Sequence, residues 1–170
     1  IVSPANSFGF MDGGLDAMIT RRLGYIVQTR VQEAIKIQEG GELLVGRAVL
    51  VSTDNDDIPY CMSAPTMRVP MILGDNSVNV YLATKAIFTL LNKFRSSLLQ
   101  VNRIDTITIS GLGTGVGRVP YNICASQMKE AYSDVWLGLH DFPRNWREAQ
   151  INHQYLCGKD PVDLQFKKTQ

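Results

Sequence analysis

The 170-residue chain has little that would commit it to disulfide, metal or membrane chemistry. Its three cysteines, Cys61, Cys124 and Cys157, are far apart and odd in number, and none belongs to a CxxC pair. That pattern excludes a disulfide framework and leads us to expect free, buried thiols in a reducing, cytoplasmic setting. Its two histidines, His140 and His153, make no HxxxH spacing, so no metal is expected. No apolar run is long enough to span a bilayer, and no signal-peptide pattern is visible. Charge of one sign is also scarce. A formal net charge of +1 gives no reason to expect nucleic acid or an anionic membrane as the main partner.

What remains is an ordinary globular composition, 45% hydrophobic and 19% charged, at a length that suits one substantial core. The chain is organised around the stretch from Ser3 to Asp16. An apolar pair, Ile1-Val2, reads as the end of a strand, and Pro4 suits a strand exit because it offers no ladder donor. Gly9, Gly13 and Gly14 follow, with two short polar side chains, Asn6 and Asp16. A helical pattern then runs from Asp16 to about Tyr25, with Gly24 ending or kinking it, and a second runs from Val27 to Gln38 before Gly40-Gly41. A strand that opens through glycines into a helix can offer backbone N–H groups and the helix's positive end to an oxyanion. The plainer role for Asp16 is a first-turn acid that complements the helix dipole, worth roughly 0.3–1 kcal/mol.

Further along, residues Leu43 to Ser52 are rich in Leu and Val and predict a strand buried on much of both faces. Asp54, Asp56 and Asp57 form an acidic turn without the glycine and distal glutamate of a calcium loop. Ile58 to Ala64 reads as the next strand. Pro65 to Asp75 is irregular, and Met62, Met67 and Met71 are core filling or an apolar edge. Asn76 or Ser77 can cap a long helix to about Leu98, with Leu82, Ala86, Leu90 and Phe94 on its inner stripe, widened by Ala83, Ile87 and Leu91. Lys85, Lys93 and Arg95 are assigned to its wet side.

Ile104 to Ser110 alternates Ile with Asp and Thr as a strand does. It enters a second glycine loop, Ser110-Gly-Leu-Gly-Thr-Gly-Val-Gly117. This loop is neither a Walker A motif, since no Gly-Lys-Ser/Thr follows, nor a dinucleotide fingerprint, since Val116 fills the third glycine position. Pro120 suits the first turn of a helix reaching Val135 through Ile123, Gln127 and Ala131. The helix start is then expected to face the anion held by the loop. Beyond Val135, residues 136–170 read as an extension, with Trp136, Phe142, Trp146 and Tyr155 set among Gly, Pro and polar residues. It is expected to pack on the domain 1–135 or on a neighbour. Lys167-Lys168 is too short to be a nucleic-acid patch. Alternation of strand and helix predicts an α/β sandwich with a mixed central sheet and a ligand crevice at the strand ends.

On two motifs the chain resembles the macro domain family, which binds ADP-ribose. Ser3-Pro4-Ala5-Asn6-Ser7 and Asp12-Gly13-Gly14-Leu15-Asp16 stand where the family has Asn-Ala-Ala-Asn-Ser and Gly-Gly-Gly-Val-Asp, and Ser110 to Gly117 resembles its other phosphate-binding loop. The resemblance covers about Ile1 to Val135 and implies a three-layer α/β/α sandwich. It also implies strands and an adenine-binding Asp ahead of Ile1, so an N-terminal piece beyond this numbering is expected. For the site, it implies that Ala5, Ser7, Phe8, Gly13, Gly14, Gly113, Thr114, Gly115, Val116 and Gly117 hold ADP-ribose. Phe8, Phe10 or Val116 would close over the sugar, and Asn6 and Asp16 would be catalytic. The implied activity is metal-independent hydrolysis of an ADP-ribose linkage on a modified macromolecule or a small ester, with ADP-ribose as ligand or product and no cofactor. Nucleic acid enters only as a modified substrate, and a monomer is expected. A non-catalytic ADP-ribose reader is the alternative, and a scaffold whose glycines serve tight packing is a third. Two positions depart from the family pattern. Pro4 replaces an Ala, and Gly117 follows Val116 where many hydrolytic members carry Phe or Tyr.

Overall fold

A computed structural model describes residues 1–96, 104–139 and 141–163. His140, Lys167, Lys168 and the expected helix end at Leu98 lie outside the described residues. The sheet has strand order β1-β3-β2, from β1 (Val2–Ser3), β2 (Val49–Ser52) and β3 (Tyr60–Ser63). β1 pairs parallel with β3, Val2 opposite Met62 and Ser3 opposite Ser63, and β2 pairs antiparallel with β3. The sheet is therefore mixed. Because side chains alternate across a strand, its two faces feed two separate cores. Val2 and Met62 pack with α3 (Asn79–Ser96) and α4 (Tyr121–Val135), while Val49, Val51 and Cys61 pack with α1 (Gly14–Leu23) and α2 (Ile26–Gln38). That is a three-layer α/β/α sandwich.

The helix boundaries follow local chemistry. Gly24 adopts φ +87 and returns its N–H to Thr20 O at 2.8 Å, which stops α1 at Leu23, two residues before Tyr25. α2 ends as Gly41, at φ +97, donates back to Ile35 O, a closure that needs a left-handed residue after the helix. Ser77 Oγ accepts from Asn79 N at the start of α3. The buried face of α3 is Val80, Ala83, Thr84, Ala86, Ile87, Phe88 and Leu91, which includes the expected Ala83, Ala86, Ile87 and Leu91. The rest of the expected stripe shifts. Leu82 and Leu90 are half-buried and Phe94 is exposed, while Lys85 folds back to donate to Tyr81 Oη at 3.0 Å.

Two expected strands are shorter than the composition implied. Of Leu43 to Ser52 only Val49–Ser52 pairs, because Gly46 takes φ +94 in a turn closed by Arg47 N to Leu44 O at 2.9 Å. β2 is the outer strand of the order, so it alternates between buried and open positions rather than being covered on both faces. Residues 104–110 lie beside β1, with Val2 N donating to Thr108 O at 3.0 Å, but they form no assigned strand. Ile104, Ile107 and Ile109 pack partly onto the α3–α4 core while Thr106 and Thr108 stay exposed.

α5 (Trp146–Leu156) starts at Asn145, whose side chain accepts from Glu148 N at 3.0 Å. It is tied to α4 through Gln127, whose amide donates to Leu156 O at 2.9 Å. The acidic turn is anchored by cations of the adjacent helices: Arg30 pairs with Asp54 and Arg22 with Asp57. Among the described residues no helix is long and apolar enough to cross a membrane.

Candidate functional site

The two glycine loops, about a hundred residues apart in the chain, border one cavity of about 430 Å³. That is within the common range for small-molecule sites, about 300–1,000 Å³. Loop 1 leaves β1 at Ser3 and enters α1 at Gly14. Its bend is held by Asn6. The Asn6 Oδ1 accepts from Phe8 N at 3.0 Å and Phe10 N at 3.3 Å, and its Nδ2 donates to Phe10 O at 2.8 Å. Asn side chains stabilise turns by this kind of local bond. Loop 2 closes on itself through Arg118 N to Gly115 O and Val119 N to Gly113 O, both 3.1 Å.

A third segment joins them. Arg68 O accepts from Ser7 N in loop 1, and Leu73 N donates to Gly117 O in loop 2. The irregular segment 65–75 thus spans both loops, and its Thr66, Met67 and Pro70 form a wall of the cavity. Asn79 at the head of α3 holds Thr66 O at 2.8 Å. The prolines and the lack of periodicity marked this segment only as irregular; the backbone bonds that make it a wall leave no trace in composition.

Ala5, Asn6, Gly13, Gly14 and Asp16 of loop 1 line the cavity, as do Gly113, Thr114, Gly115, Val116 and Gly117 of loop 2. Ser7 and Phe8 do not. Ser7 is buried, bonded through its N–H to Arg68 and through its carbonyl to Leu43, and Phe8 lies under the Arg68 guanidinium at 5.0 Å. Phe10 lines the cavity while largely exposed, as does Val116. Pro120 and Tyr121, at the start of α4, are not part of the lining, so the positive helix end at the cavity is that of α1.

The glycines divide by what surrounds them. A β-carbon on Gly117 would stand 2.5 Å from Gly113 O, so loop 2 needs glycine there for its own closure. A β-carbon on Gly13 or Gly115 would meet nothing within 4 Å. At those two positions the bare backbone faces open space, as a ligand cradle requires.

Asp16 is the buried carboxylate of the cavity, 9% exposed. Ser3 Oγ donates to its Oδ1 at 2.6 Å. Burial pushes the carboxyl up, the Ser3 bond pulls it down and the nearby Asp12 pushes it up, leaving it at about 6. A carboxyl poised there can exchange a proton near neutral pH. Among the described residues the lining carries Asp12 and Asp16 and no Lys or Arg, so the donors it offers an anion are backbone N–H groups and the α1 terminus. Among the described residues no group of three or more His, Cys, Asp or Glu is disposed to hold a metal.

Fold and cleft together define an α/β domain with a cavity bordered by the loop that leaves β1. A family model, the Macro domain, matches residues 2–128, and the chain belongs to that family. It is 34% identical over 130 residues to an uncharacterized protein of Aquifex aeolicus (strain VF5), covering 76% of this chain and 70% of that protein. Among solved structures it is similar to an Oceanobacillus iheyensis macrodomain mutant with ADPR, at 19% identity and TM-score 0.65, covering 93% of this chain and 86% of the other. It is also similar to the macrodomain of Mycobacterium tuberculosis DarG, at 18% identity and TM-score 0.62, covering 78% and 80%. At these identities the likeness to the solved structures is one of fold.

Proposed function

We propose that this chain binds ADP-ribose in the two-loop cavity and hydrolyses an ADP-ribose linkage, on a modified macromolecule or a small ester, with Asp16 as general base. The observation that carries this is the convergence of Gly13–Gly14 and Gly113–Gly117 on one cavity with Asp16 in its wall. The diphosphate lies along the backbone amides of both loops, and the ribose farther from adenine reaches Asp16. Phe10 and Val116, exposed at the cavity, cover the sugar. A water oxygen then bonds to the anomeric carbon as the bond to the leaving oxygen breaks. Asp16 takes the water's proton and returns it to the leaving group. A carboxylate or phosphate leaves readily, so orientation of sugar and water supplies much of the rate.

The test pairs calorimetry with release assays on mono-ADP-ribosylated protein, modified nucleic acid and O-acetyl-ADP-ribose. Saturable ADP-ribose binding is expected, with turnover on at least one substrate that falls as pH drops through about 6, where Asp16 takes up a proton. Asp16→Ala is expected to keep binding and lose turnover at least about a hundredfold. An Asp16→Ala variant as active as the parent defeats the assignment.

One observation favours the reader alternative. The Asn6 Oδ1 and one of its two amide N–H groups are engaged within loop 1, so that side chain braces the loop and keeps a single donor for a ribose hydroxyl. Binding without release on any of the three substrates selects this second function.

A further inference from the structure

The innermost part of loop 1 holds a polar arrangement that serves neither core nor cradle. Ser3 is fully buried, and its hydroxyl is bonded to Asp16 Oδ1 across thirteen positions of chain. Its backbone is fixed by the pairing with Ser63 of β3, in which Ala64 N donates to Ser3 O at 3.1 Å. Register partners in a sheet present their side chains to the same face, so the Ser63 hydroxyl stands beside that of Ser3. Ser63 is also fully buried, and its Oγ has no hydrogen-bond partner among the described residues. Buried polar groups are nearly always paired, and an exception marks strain or function. Cys61, two residues earlier on the same face, packs into the apolar core with Val49 and Val51. On this face of β3 the chain turns polar at Ser63, where β1 and β3 meet Asp16.

We propose that Ser3 is a positioning residue for Asp16: its hydroxyl clamps one carboxylate oxygen so that the other is presented to the cavity. Asp16 sits in the first turn of α1, where an unclamped side chain has rotamers that point along the helix as well as into the cleft. The sheet supplies the rigidity. Ser3 and Ser63 belong to paired strands, whereas Gly13 and Gly14 around Asp16 are the most permissive backbone in the loop. A donated bond also favours the ionised carboxyl, so the clamp opposes the burial that favours the neutral one. The other titratable groups acting there are Asp12 from loop 1 and Cys61 from β3; Gln28, buried on α2, is uncharged and engaged with Met11 N and Tyr25 Oη.

This inference rests on the proposed role of Asp16, but its test does not. The carboxyl ¹³C shift of Asp16 is titrated in the free, full chain for the parent, Ser3→Ala, Ser3→Cys and Ser63→Ala. Ser3→Ala is expected to raise the Asp16 midpoint by about one unit, and Ser63→Ala by less than about half of that. Ser3→Cys, close in shape but a weak donor, is expected to fall between the parent and Ser3→Ala, and it stands in if Ser3→Ala does not fold. On substrates the parent turns over, the acid limb of the rate profile moves up by the same amount, with ADP-ribose affinity at pH 8 unchanged within about threefold. A merely structural serine would lower stability and leave both midpoints in place. A folded Ser3→Ala or Ser3→Cys whose Asp16 midpoint matches the parent within about 0.2 unit overturns the proposal, even if the parent hydrolyses its substrate. A parent without turnover sinks the hydrolytic function and leaves the titration readable.

Discussion

Gly117 and Gly113 meet so closely that a β-carbon on the first would lie 2.5 Å from the carbonyl oxygen of the second. Real β-carbons do not approach backbone that near, and the obstacle is backbone rather than the end of a flexible side chain. Leu73 and Met67 stand at 3.2 Å from the same point, so loop 2 has nowhere to retreat without moving the 65–75 wall. Gly117→Ala is therefore expected to destabilise the protein by about 1–3 kcal/mol and to weaken ADP-ribose binding at least about tenfold. Thermal melting and calorimetry check both, and an unchanged affinity would mean that the closure of loop 2 does not shape the site.

Gly115 separates cradle from packing. A β-carbon there touches nothing within 4 Å, yet the residue lines the cavity. Gly115→Ala is expected to melt with the parent, within about 0.5 kcal/mol, because no contact in the protein is disturbed. Its methyl group removes close approach to the backbone, so ADP-ribose affinity is expected to fall about tenfold, near 1.4 kcal/mol. Calorimetry that gives parental affinity would remove Gly115 from the diphosphate cradle.

The raised carboxyl of Asp16 fixes a sign for stability against pH. Unfolded, the group titrates near 3.8; folded, near 6. Between those values the native state holds its proton more firmly than the unfolded chain, so stability from this group is greatest in acid and is lost as pH rises through about 6. Asn at this position accepts the Ser3 bond without the charge. Asp16→Asn is expected to match the parent near pH 4 and to exceed it by about 1–3 kcal/mol at pH 8, where the buried charge is fully formed. Denaturant titrations at the two pH values give the difference; a gap that narrows as pH rises contradicts the burial of this carboxylate.

Much of this site was legible because glycine and short polar residues carry conformational meaning in themselves. Gly13, Gly14 and the alternate glycines from 111 to 117 marked loops that only an approaching backbone or ligand explains, and both loops do border one cavity. Asp16 stood out by its place at a helix start after those glycines. Its neighbour Ser3 did not, because the pair is made by the turn of loop 1 and not by sequence spacing. Ser7 and Phe8 belonged to the motif but not to the cavity, since the bend set by Asn6 turns them toward Leu43 and Arg68. Hydrophobic content overstated the strand expected from Leu43, because Leu and Val serve a turn at Gly46 as well as a ladder. The stripe on α3 slipped for a related reason. Apolar residues wrap most of that helix, and Thr84 shares the inner face through a bond to Val80 O at 2.7 Å, so the period alone could not choose the innermost line.

Gln127 was expected only as one more inward position on a helix, yet its side chain holds three elements together. It is fully buried, accepts from Tyr81 N at 3.0 Å, and donates to Ser77 O and Leu156 O, each at 2.9 Å. Tyr81 lies in the opening turn of α3, where helix N–H groups have no partner of their own, and Ser77 lies just before that helix. The third is the last residue of α5, so the same amide docks residues 146–156 against the sandwich. Truncation to Ala would strand two carbonyls and one N–H in the interior and open a void, a loss of about 3–5 kcal/mol. Leu restores volume but none of the bonds, so Gln127→Leu is expected to lose about 2–4 kcal/mol, and Gln127→Glu less, since a carboxyl can still accept from Tyr81 N. Denaturation measures the order of the three, and hydrogen exchange at the carboxyl-terminal end of α5 is expected to rise in all of them. Gln127→Leu as stable as the parent, with α5 equally protected, would show that apolar packing alone holds α5 on α4.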